Sequence, residues 1–357
     1  MAKKTLKIGV VGLGIGRWHA QSFAGYNRCE LVACCDLNDH LVNITVEKHN
    51  MPAENGYSDY RTMFADAKRT GLQAVSIALP NKFHAPVAIA AVKAGLHVLV
   101  EKPMAMSAAE ARRMQVAAKQ ANRTLMINFS YRFEAESRAM KRIMDSGEMG
   151  QIYFGRTVWH RRRGWPGMGL GSWFGNKTMS GGGPLMDLGV HRLDLAMWLM
   201  GNPKPVSVSA SAFDHLGQAQ AKAEGKKFDV EDLGCALIRF DNGATLLLEA
   251  SWACNSDKTE EMLTQLYGTQ GGIVQRNVEG GEKFEVHAMG ESDGMRWTRE
   301  IDAVTERTPT AFQEFVNASL DGTEPLVTPQ HGINVQVVLD AIYKSAATGR
   351  EVRIPVR

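Results

Sequence analysis

The sequence predicts two domains, an α/β domain with a parallel sheet followed by an α+β domain. From Leu6 to Asn128, short apolar runs of strand character alternate with helical patterns, the order typical of a parallel sheet with right-handed crossovers. After Asn128 the pattern changes to mostly strands. A chain of 357 residues is too long for one typical core. We therefore expect domains at 1–128 and 129–357, with room for the C-terminal helix to pack back on the first.

Charge and cysteine content restrict the class of partner. The chain has 41 basic and 38 acidic residues spread along its length, for a formal charge of +3. This balance argues against a nucleic-acid or membrane surface. The five cysteines show no Cys-x-x-Cys spacing and lie mainly in strand-like runs, as in a reduced cytoplasmic protein. No targeting or membrane-spanning pattern is visible. We expect a small-molecule partner and a cytoplasmic location.

A glycine loop follows the first strand, Leu6–Val11, and leads into a helix to about residue 26. Glycines there allow a tight turn and let a pyrophosphate approach the backbone N–H groups at the helix start. This arrangement predicts a Rossmann dinucleotide-binding domain. The spacing departs from G-x-G-x-x-G, because Arg17 stands where the third glycine would be. The residues expected to cradle the phosphates are Gly12, Gly14, Ile15 and Gly16.

An acid follows the second strand, residues 30–35. Asp36 comes 24 residues after Gly12, the place where a carboxylate binds the adenosine ribose hydroxyls. No cation follows it for a 2′-phosphate, so the sequence favours NAD over NADP. The alternative for Asp36 is a turn or N-cap residue before the next helix. Helices are further expected at about 59–68, 83–93 and 108–120, and strands at 74–78, 97–100 and 125–128.

Glu101-Lys102-Pro103 follows the strand at 97–100 without a spacer, and Leu79-Pro80-Asn81 closes the strand at 74–78. Ligands of open α/β sheets lie beyond the carboxyl ends of such strands. We therefore expect cofactor contacts from Pro80, Asn81, His84, Glu101 and Lys102. The alternatives are that Asn81 only caps a helix and that the lysine is an ordinary solvated side chain. We also predict a cis bond between Lys102 and Pro103.

The second domain has one apolar helix that carries charged residues, within residues 181–201. At about 100° per residue, Asp187, His191 and Asp194 fall on one stripe among Leu, Met, Ala and Val. Ionisable groups on a buried helix are costly unless they pair or meet a ligand. We interpret them as a site, although a structural role for Asp194 is equally compatible with the pattern.

These motifs resemble the glucose-fructose oxidoreductase, inositol dehydrogenase and rhizopine-catabolism (Gfo/Idh/MocA) family over almost the whole chain. The most specific signal is Glu101-Lys102-Pro103 after its strand, joined by the glycine loop and the segment around His191. The resemblance implies a second domain built on a large, mainly antiparallel open sheet and oligomers formed through its outer face. It also implies NAD-dependent oxidoreduction of a sugar, glycoside or cyclitol, with catalytic Lys102, Asp187 and His191.

Further substrate contacts are expected near the start of the second domain. A basic and Gly-rich loop begins within residues 159–166 and precedes the charged helix; aromatic rings there suit sugars, and arginines suit acidic groups. An exposed basic loop or a subunit contact is the alternative. Residues expected to bind substrate, beside the three catalytic ones, are Tyr131, Arg132, Arg163 and Trp173. No metal constellation is visible, and residues 217–227 have the composition of a mobile loop.

The residue types indicate a mechanism, and the resemblance to the family implies two rival functions. A histidine with a reference pKa near 6.5 can accept a hydroxyl proton while hydride leaves the same carbon, and a lysine can stabilise the developing charge. One rival is an NAD-retaining glycosidase that acts through transient ring oxidation. The other is a non-catalytic NAD-binding sugar sensor or repressor, which would not need the complete set of Lys102, Asp187 and His191. A homodimer or homotetramer is expected.

Overall fold

The computed structural model describes residues 4–167, 169–278, 281, 283–302 and 308–355. The chain divides into two compact units. Unit 1 comprises Met1–Asn128 and Pro309–Ile333, and unit 2 comprises Phe129–Thr308 and Asn334–Arg357. Within the described ranges, no helix has both the length and the apolar character needed to span a membrane.

Unit 1 contains a six-stranded sheet in the order β3-β2-β1-β4-β5-β6, and all neighbouring strands in it are parallel. This order places a topological switch between β1 and β4, where dinucleotides bind in this class of sheet. The strands are β1 Leu6–Val11, β2 Cys29–Cys35, β3 Gly56–Tyr57, β4 Ala74–Ile77, β5 His97–Val100 and β6 Leu125–Ile127. The helices are α1 Gly16–Ala24, α2 Asp39–Lys48, α3 Tyr60–Ala65, α4 Ala67–Thr70, α5 His84–Lys93, α6 Ala108–Ala121 and α11 Ala311–Asp321.

The strands of unit 1 are apolar because helices cover both faces of the sheet. In β5, Val98, Leu99 and Val100 are all fully buried, as expected for a parallel strand. The helix expected at 59–68 is broken into α3 and α4 at Asp66, whose carboxylate accepts hydrogen bonds from Tyr57 and Arg69. The other expected elements of this unit are present within a few residues of their predicted ends.

Unit 2 is built on a nine-stranded sheet in the order β14-β13-β12-β11-β7-β10-β9-β8-β15. Its pairings are antiparallel except that β7 runs parallel to β10. The fold class predicted for each part of the chain is therefore confirmed. The strands are β7 Ile152–Arg161, β8 Pro205–Phe213, β9 Leu233–Phe240, β10 Thr245–Ser251, β11 Glu260–Gly268, β12 Gly271–Asn277, β13 Phe284–Ser292, β14 Met295–Glu300 and β15 Val352–Arg353.

Helices in unit 2 differ from expectation at two places. The helices are α7 Ala135–Asp145, α8 Lys177–Ser180, α9 Val190–Leu199, α10 His215–Glu224 and, shared with unit 1, α12 Pro329–Thr348. The expectation of a mobile loop at 217–227 is wrong, because most of this segment belongs to α10. Alanine, glutamine and lysine favour helix, and Ala221 is buried. The charged helix begins as a π-helical turn, Leu185–Gly189, before α9.

Candidate active site

The glycine loop of unit 1 is shaped by two different steric demands. Gly12 has φ +90°, and a Cβ there would lie 2.4 Å from the carbonyl oxygen of Ala78. Gly16 opens α1, and a Cβ there would lie 2.9 Å from Val10 Cγ1. Gly16 therefore permits the close approach of helix and strand for which the third glycine of the longer motif serves. The last glycine of the loop comes one residue earlier than in G-x-G-x-x-G, and the close contact between helix and strand is kept.

The surface of the loop is open where a phosphate would approach. Apart from its chain neighbours, no atom of the described residues lies within 4 Å of a Cβ built on the exposed Gly14, so this position has room for a ligand. Ile15 beside it is 58% exposed. The first N–H groups of α1 have no acceptor within the helix and carry its positive dipole end. These features fit the pyrophosphate of a dinucleotide.

Asp36 lies at the carboxyl end of β2, as predicted, and its carboxylate connects two segments. One oxygen, Oδ2, accepts a hydrogen bond from the N–H of Leu13 at 2.6 Å, and Oδ1 accepts from the N–H of Asn38 at 2.9 Å. The turn alternative is thus present in the structure, while Asn38 is the N-cap of α2. Leu37 is 92% exposed. No cation within this turn competes for the place of a ribose hydroxyl.

The Glu101-Lys102-Pro103 segment is held by a buried network. Glu101 Oε1 accepts from Asn128 at 2.6 Å and lies 3.1 Å from His19 Nε2, while Oε2 accepts from the N–H of Lys102 at 3.1 Å. Burial raises the pKa of Glu101, but the hydrogen bond and charge of His19, with Lys102 and Asn128, outweigh it and lower that pKa to about 2. Glu101 is therefore an anion, and it binds protein groups.

Lys102 itself is half-buried between buried neighbours, and the predicted cis bond to Pro103 is confirmed. Asn81 is 6% exposed and starts a short 3-10 helix after Pro80. His84 is fully buried, with Nδ1 2.7 Å from the Pro103 carbonyl oxygen and Nε2 2.8 Å from that of Leu79. A direct contact between His84 and the cofactor is thus not supported, since carbonyl groups of the protein occupy both ring nitrogens.

In unit 2 the charged helix presents two residues to the surface. From Gly182 to Leu199, Asp187 and His191 alone are half-buried, and every other residue is buried. The imidazole of His191 packs edge-on against Tyr131, with ring centroids 5.2 Å apart, and lies 5.8 Å from the centroid of Trp159. His191 thus lies beside aromatic surfaces, which suits a sugar ring next to a proton acceptor.

Asp187 is oriented by Trp252, which the sequence did not assign to the site. The indole Nε1–H donates to Asp187 Oδ2 at 2.9 Å, and Trp252 is fully buried. The two residues are 65 positions apart, so only the fold brings them together. The tryptophan directly after β10 is the sole sequence signal, and it does not indicate which group its N–H meets.

Two further expectations concern Arg132 and Asp194, which pair with each other. Arg132 is 1% exposed and bidentate to Asp194, with Nε and Nη2 at 2.8 and 2.7 Å from its carboxylate. The expectation that Arg132 binds substrate is therefore not supported, because its guanidinium group donates two hydrogen bonds to the Asp194 carboxylate. The same pairing gives Asp194 the structural role that had been left open.

Arg192 is a buried cation that sequence reasoning missed. It is fully buried, and its guanidinium carbon lies 4.5, 5.3 and 5.1 Å from the ring centroids of Tyr131, Trp159 and Phe284. Gln275 accepts from its Nη1 at 3.2 Å. Burial lowers the pKa of Arg192. This cation–π cage fixes the aromatic rings that border His191.

The basic loop is anchored to the segment after β10. Arg163 donates to the carbonyl of Cys254 at 3.1 Å and to Asn255 Oδ1 at 2.9 Å. Trp173 stacks on Phe174, whose ring lies 6.4 Å edge-on from Trp252. Trp173 thus belongs to an aromatic cluster that extends to Trp252, the hydrogen-bond donor to Asp187. Arg163 is turned to backbone and amide oxygens.

The remaining candidate groups are the cysteines and the residue types that bind metals. The five cysteines are free thiols. Burial raises the pKa values of Cys29, Cys34 and Cys35 to about 12. In the part of the chain that the structure describes, no group of three His, Cys, Asp or Glu side chains could hold a metal ion.

The parallel sheet with its switch point, the open glycine loop and the acid after β2 define a dinucleotide-binding domain of the Rossmann class. Residues 6–129 match the oxidoreductase family with an NAD-binding Rossmann fold, and residues 137–274 match the GFO/IDH/MocA C-terminal domain. The chain belongs to the Gfo/Idh/MocA oxidoreductase family. The predicted family, the prediction of an enzyme and the choice of NAD as cofactor are confirmed.

Relatives and solved structures agree with this assignment. The chain is 30% identical to D-glucoside 3-dehydrogenase of Escherichia coli K12 over 364 positions, covering 99% of each chain. It is 32% identical to levoglucosan dehydrogenase of Pseudarthrobacter phenanthrenivorans, over 62% of this chain and 59% of that protein. The structure of levoglucosan dehydrogenase with NADH superposes with TM-score 0.83 at 25% identity, covering 99% and 100% of the chains. These relatives do not favour the glycosidase or sensor alternatives.

Proposed function

We propose that the protein transfers hydride between NAD and a secondary ring hydroxyl of a sugar, glycoside or cyclitol. The observation that carries the proposal is the exposure of Asp187 and His191 alone on an otherwise buried helix. A buried helix that brings a carboxylate and an imidazole to its surface one turn apart is suited to bind and deprotonate a hydroxyl. Bound NAD would supply the hydride acceptor.

Each proposed catalytic residue has a distinct role. The imidazole of His191 accepts the proton of the substrate hydroxyl. Lys102 donates a hydrogen bond to the same oxygen and stabilises the negative charge that develops there. Asp187, whose carboxylate Trp252 holds, orients the substrate through a neighbouring hydroxyl.

The proposed cofactor contacts come from the glycine loop and from the segments that follow β2, β4 and β5. Gly14, Ile15 and Gly16 would face the pyrophosphate through backbone N–H groups. Gly12, whose N–H donates to the Cys35 carbonyl oxygen at 2.8 Å, would shape the turn beside it. Asp36 would bind the adenosine ribose. Asn81 and Pro80 follow β4 at the same edge of the sheet, and Glu101 acts there by holding Lys102. Tyr131 and Trp173 are the aromatic surfaces proposed to contact the sugar.

Glycosides come first among the candidate substrates. The relative that matches over 99% of both chains is a D-glucoside 3-dehydrogenase. The relative that matches over 62% of this chain is a levoglucosan dehydrogenase. We therefore expect a glucoside to be oxidised faster than a free sugar, an inositol or a uronate.

The test is the absorbance of reduced nicotinamide after purified protein and excess NAD are mixed with methyl glucosides, levoglucosan, free sugars, uronates and inositols. A continuous rise with one compound, absent in the His191→Asn variant, supports the proposal. A flat trace with every compound contradicts it. Cleaved glycoside in the same tubes without net reduced nicotinamide would instead establish the glycosidase reaction.

A further inference from the structure

We propose that His84 is an imidazolium cation that ties the loop after β4 to the Glu101-Lys102-Pro103 segment and thereby positions Lys102. The inference rests on the proposed function for the catalytic role of Lys102. It concerns residues of unit 1 alone. His84 is the first residue of α5 and is fully buried, so its ring acts on the protein and not on a ligand directly.

The two acceptors of His84 determine its proton count. Nδ1 lies 2.7 Å from the Pro103 carbonyl oxygen, and Nε2 lies 2.8 Å from the Leu79 carbonyl oxygen. A carbonyl oxygen can only accept a hydrogen bond, whereas a neutral imidazole carries one N–H and one lone pair. In the neutral ring, one lone pair would therefore face an oxygen at hydrogen-bond distance. A ring with both nitrogens protonated satisfies both contacts.

The charges that act on His84 are those of Glu101 and Lys102. Burial is the largest effect on the pKa of His84 and lowers that pKa below its ordinary value, against the cation proposed here, and the charge of Lys102 acts in the same direction. The two carbonyl contacts and the carboxylate of Glu101 oppose that effect. We give the geometry of the two contacts the greater weight, because in either tautomer one lone pair would lie 2.7 or 2.8 Å from a carbonyl oxygen, which is repulsive.

The consequence for Lys102 follows from its two neighbours. On one side, Glu101 is fixed by His19 and Asn128. On the other side, His84 holds the carbonyl of Pro103. Lys102 is thus the half-buried residue between two anchored ones. Through Leu79, the same ring also holds the loop that continues to Asn81. His84 is a positioning residue for both strand ends.

The first test is a long-range proton–nitrogen NMR spectrum of histidine-labelled, full-length protein without cofactor at pH 8.5. Ordinary histidines, with pKa values near 6.5, are neutral at that pH. We expect a ring among the ten histidines whose two nitrogens both have the chemical shifts of protonated nitrogen, and we expect its signal to be lost in His84→Gln. A spectrum in which every ring shows one protonated and one lone-pair nitrogen would overturn the inference.

The second test separates positioning from cofactor contact. Glutamine offers one amide donor group and one oxygen in place of two ring donors, so His84→Gln cannot serve both carbonyls in the same way. We expect kcat to fall about tenfold while KM for NAD stays within about twofold. His49→Gln is the matched control, because His49 caps the far end of α2, and it should leave both constants unchanged.

Each outcome of the kinetic test decides something. An unchanged kcat in His84→Gln, or an increased KM for NAD at constant kcat, would contradict the positioning role. Circular dichroism checks that the variant is folded, and His84→Asn replaces it if it is not. Because the NMR measurement uses no substrate, it remains informative if the wild-type protein proves inactive on every sugar and the proposed function fails.

Discussion

At the level of single residues, the proposed chemistry depends on half-buried polar side chains that lie within otherwise buried segments. His191 and Lys102 are each half-buried among buried neighbours. Such side chains are oriented by the fold instead of by solvent, which is the condition for general-base and electrostatic catalysis.

Replacing either residue tests this directly. We expect Lys102→Met and His191→Asn to lower kcat at least about a hundredfold, because each removes a group that acts on the hydroxyl in the transition state. NAD binding, measured by titration of protein fluorescence, should remain nearly intact. Turnover at the wild-type rate in either variant would refute the assignment.

The indole that holds Asp187 is a second residue to test. Trp252→Phe keeps the ring but removes the N–H that donates to Oδ2. Hydrogen bonds to charged groups contribute about 2 kcal/mol, so kcat/KM for the sugar should fall roughly tenfold or more. Trp297→Phe, on the edge strand β14, is the control and should leave kcat/KM for the sugar unchanged. Equal values for both variants would exclude a positioning role for Trp252.

The sequence drew attention to candidate site residues because charged residues are rare in apolar segments. Lys102, Asp187 and His191 stood out for that reason. The partners could not be predicted, since Trp252 and Asp187 are 65 positions apart and Arg132 and Asp194 are 62 apart. Pairing at such distances is decided by tertiary packing, which no local pattern records.

At the level of elements, the charged helix is fixed at its start by a buried carboxylate. Glu231 accepts hydrogen bonds from the N–H groups of Gly183 and Leu185, at 2.9 and 3.1 Å, and from the hydroxyl of Tyr343 at 2.9 Å. A Cβ on Gly183 would lie 2.0 Å from the Glu231 carbonyl oxygen. The glycines before the helix are thus required by close packing. Spacing alone predicted a helix but not its π-helical first turn.

The same helix is anchored further along by the Arg132–Asp194 pair. Removing one charge leaves the other buried without its counter-charge, which costs on the order of 3 kcal/mol. We therefore expect Asp194→Asn to lower the free energy of unfolding by about that amount in urea titrations. Asp145→Asn, which breaks the surface pair with Lys141, is the control and should change it by less than about 1 kcal/mol. Similar losses would show that burial of the pair is unimportant.

At the level of the whole molecule, Glu101 makes the stability of unit 1 sensitive to acid. Its pKa is lowered from 4.5 to about 2 in the folded protein. A lowered carboxyl pKa stabilises the fold above the unfolded value, and this contribution is lost as pH falls through the folded value. A shift of this size corresponds to about 3 kcal/mol.

Comparison of the wild type with Glu101→Gln isolates this effect. The difference between their free energies of unfolding should be constant above about pH 5 and should decrease by roughly 3 kcal/mol as pH falls towards 2. Urea titrations at steps of pH measure it. A difference that does not change between pH 5 and pH 2 would contradict the charged state assigned to Glu101.

The position of β7 has a consequence for how the chain is synthesised. This strand joins two meanders, β8–β10 on one side and β11–β14 on the other, and it precedes both in the chain. Its last residue is 161 and its first partner begins at 245, so 84 positions (245 − 161) separate them. At about 5–20 residues per second, β7 leaves the ribosome roughly 4–17 s before that partner exists. During that interval the strand at the centre of the future sheet has two unpaired edges, so residues 152–161 of the nascent chain are exposed to aggregation.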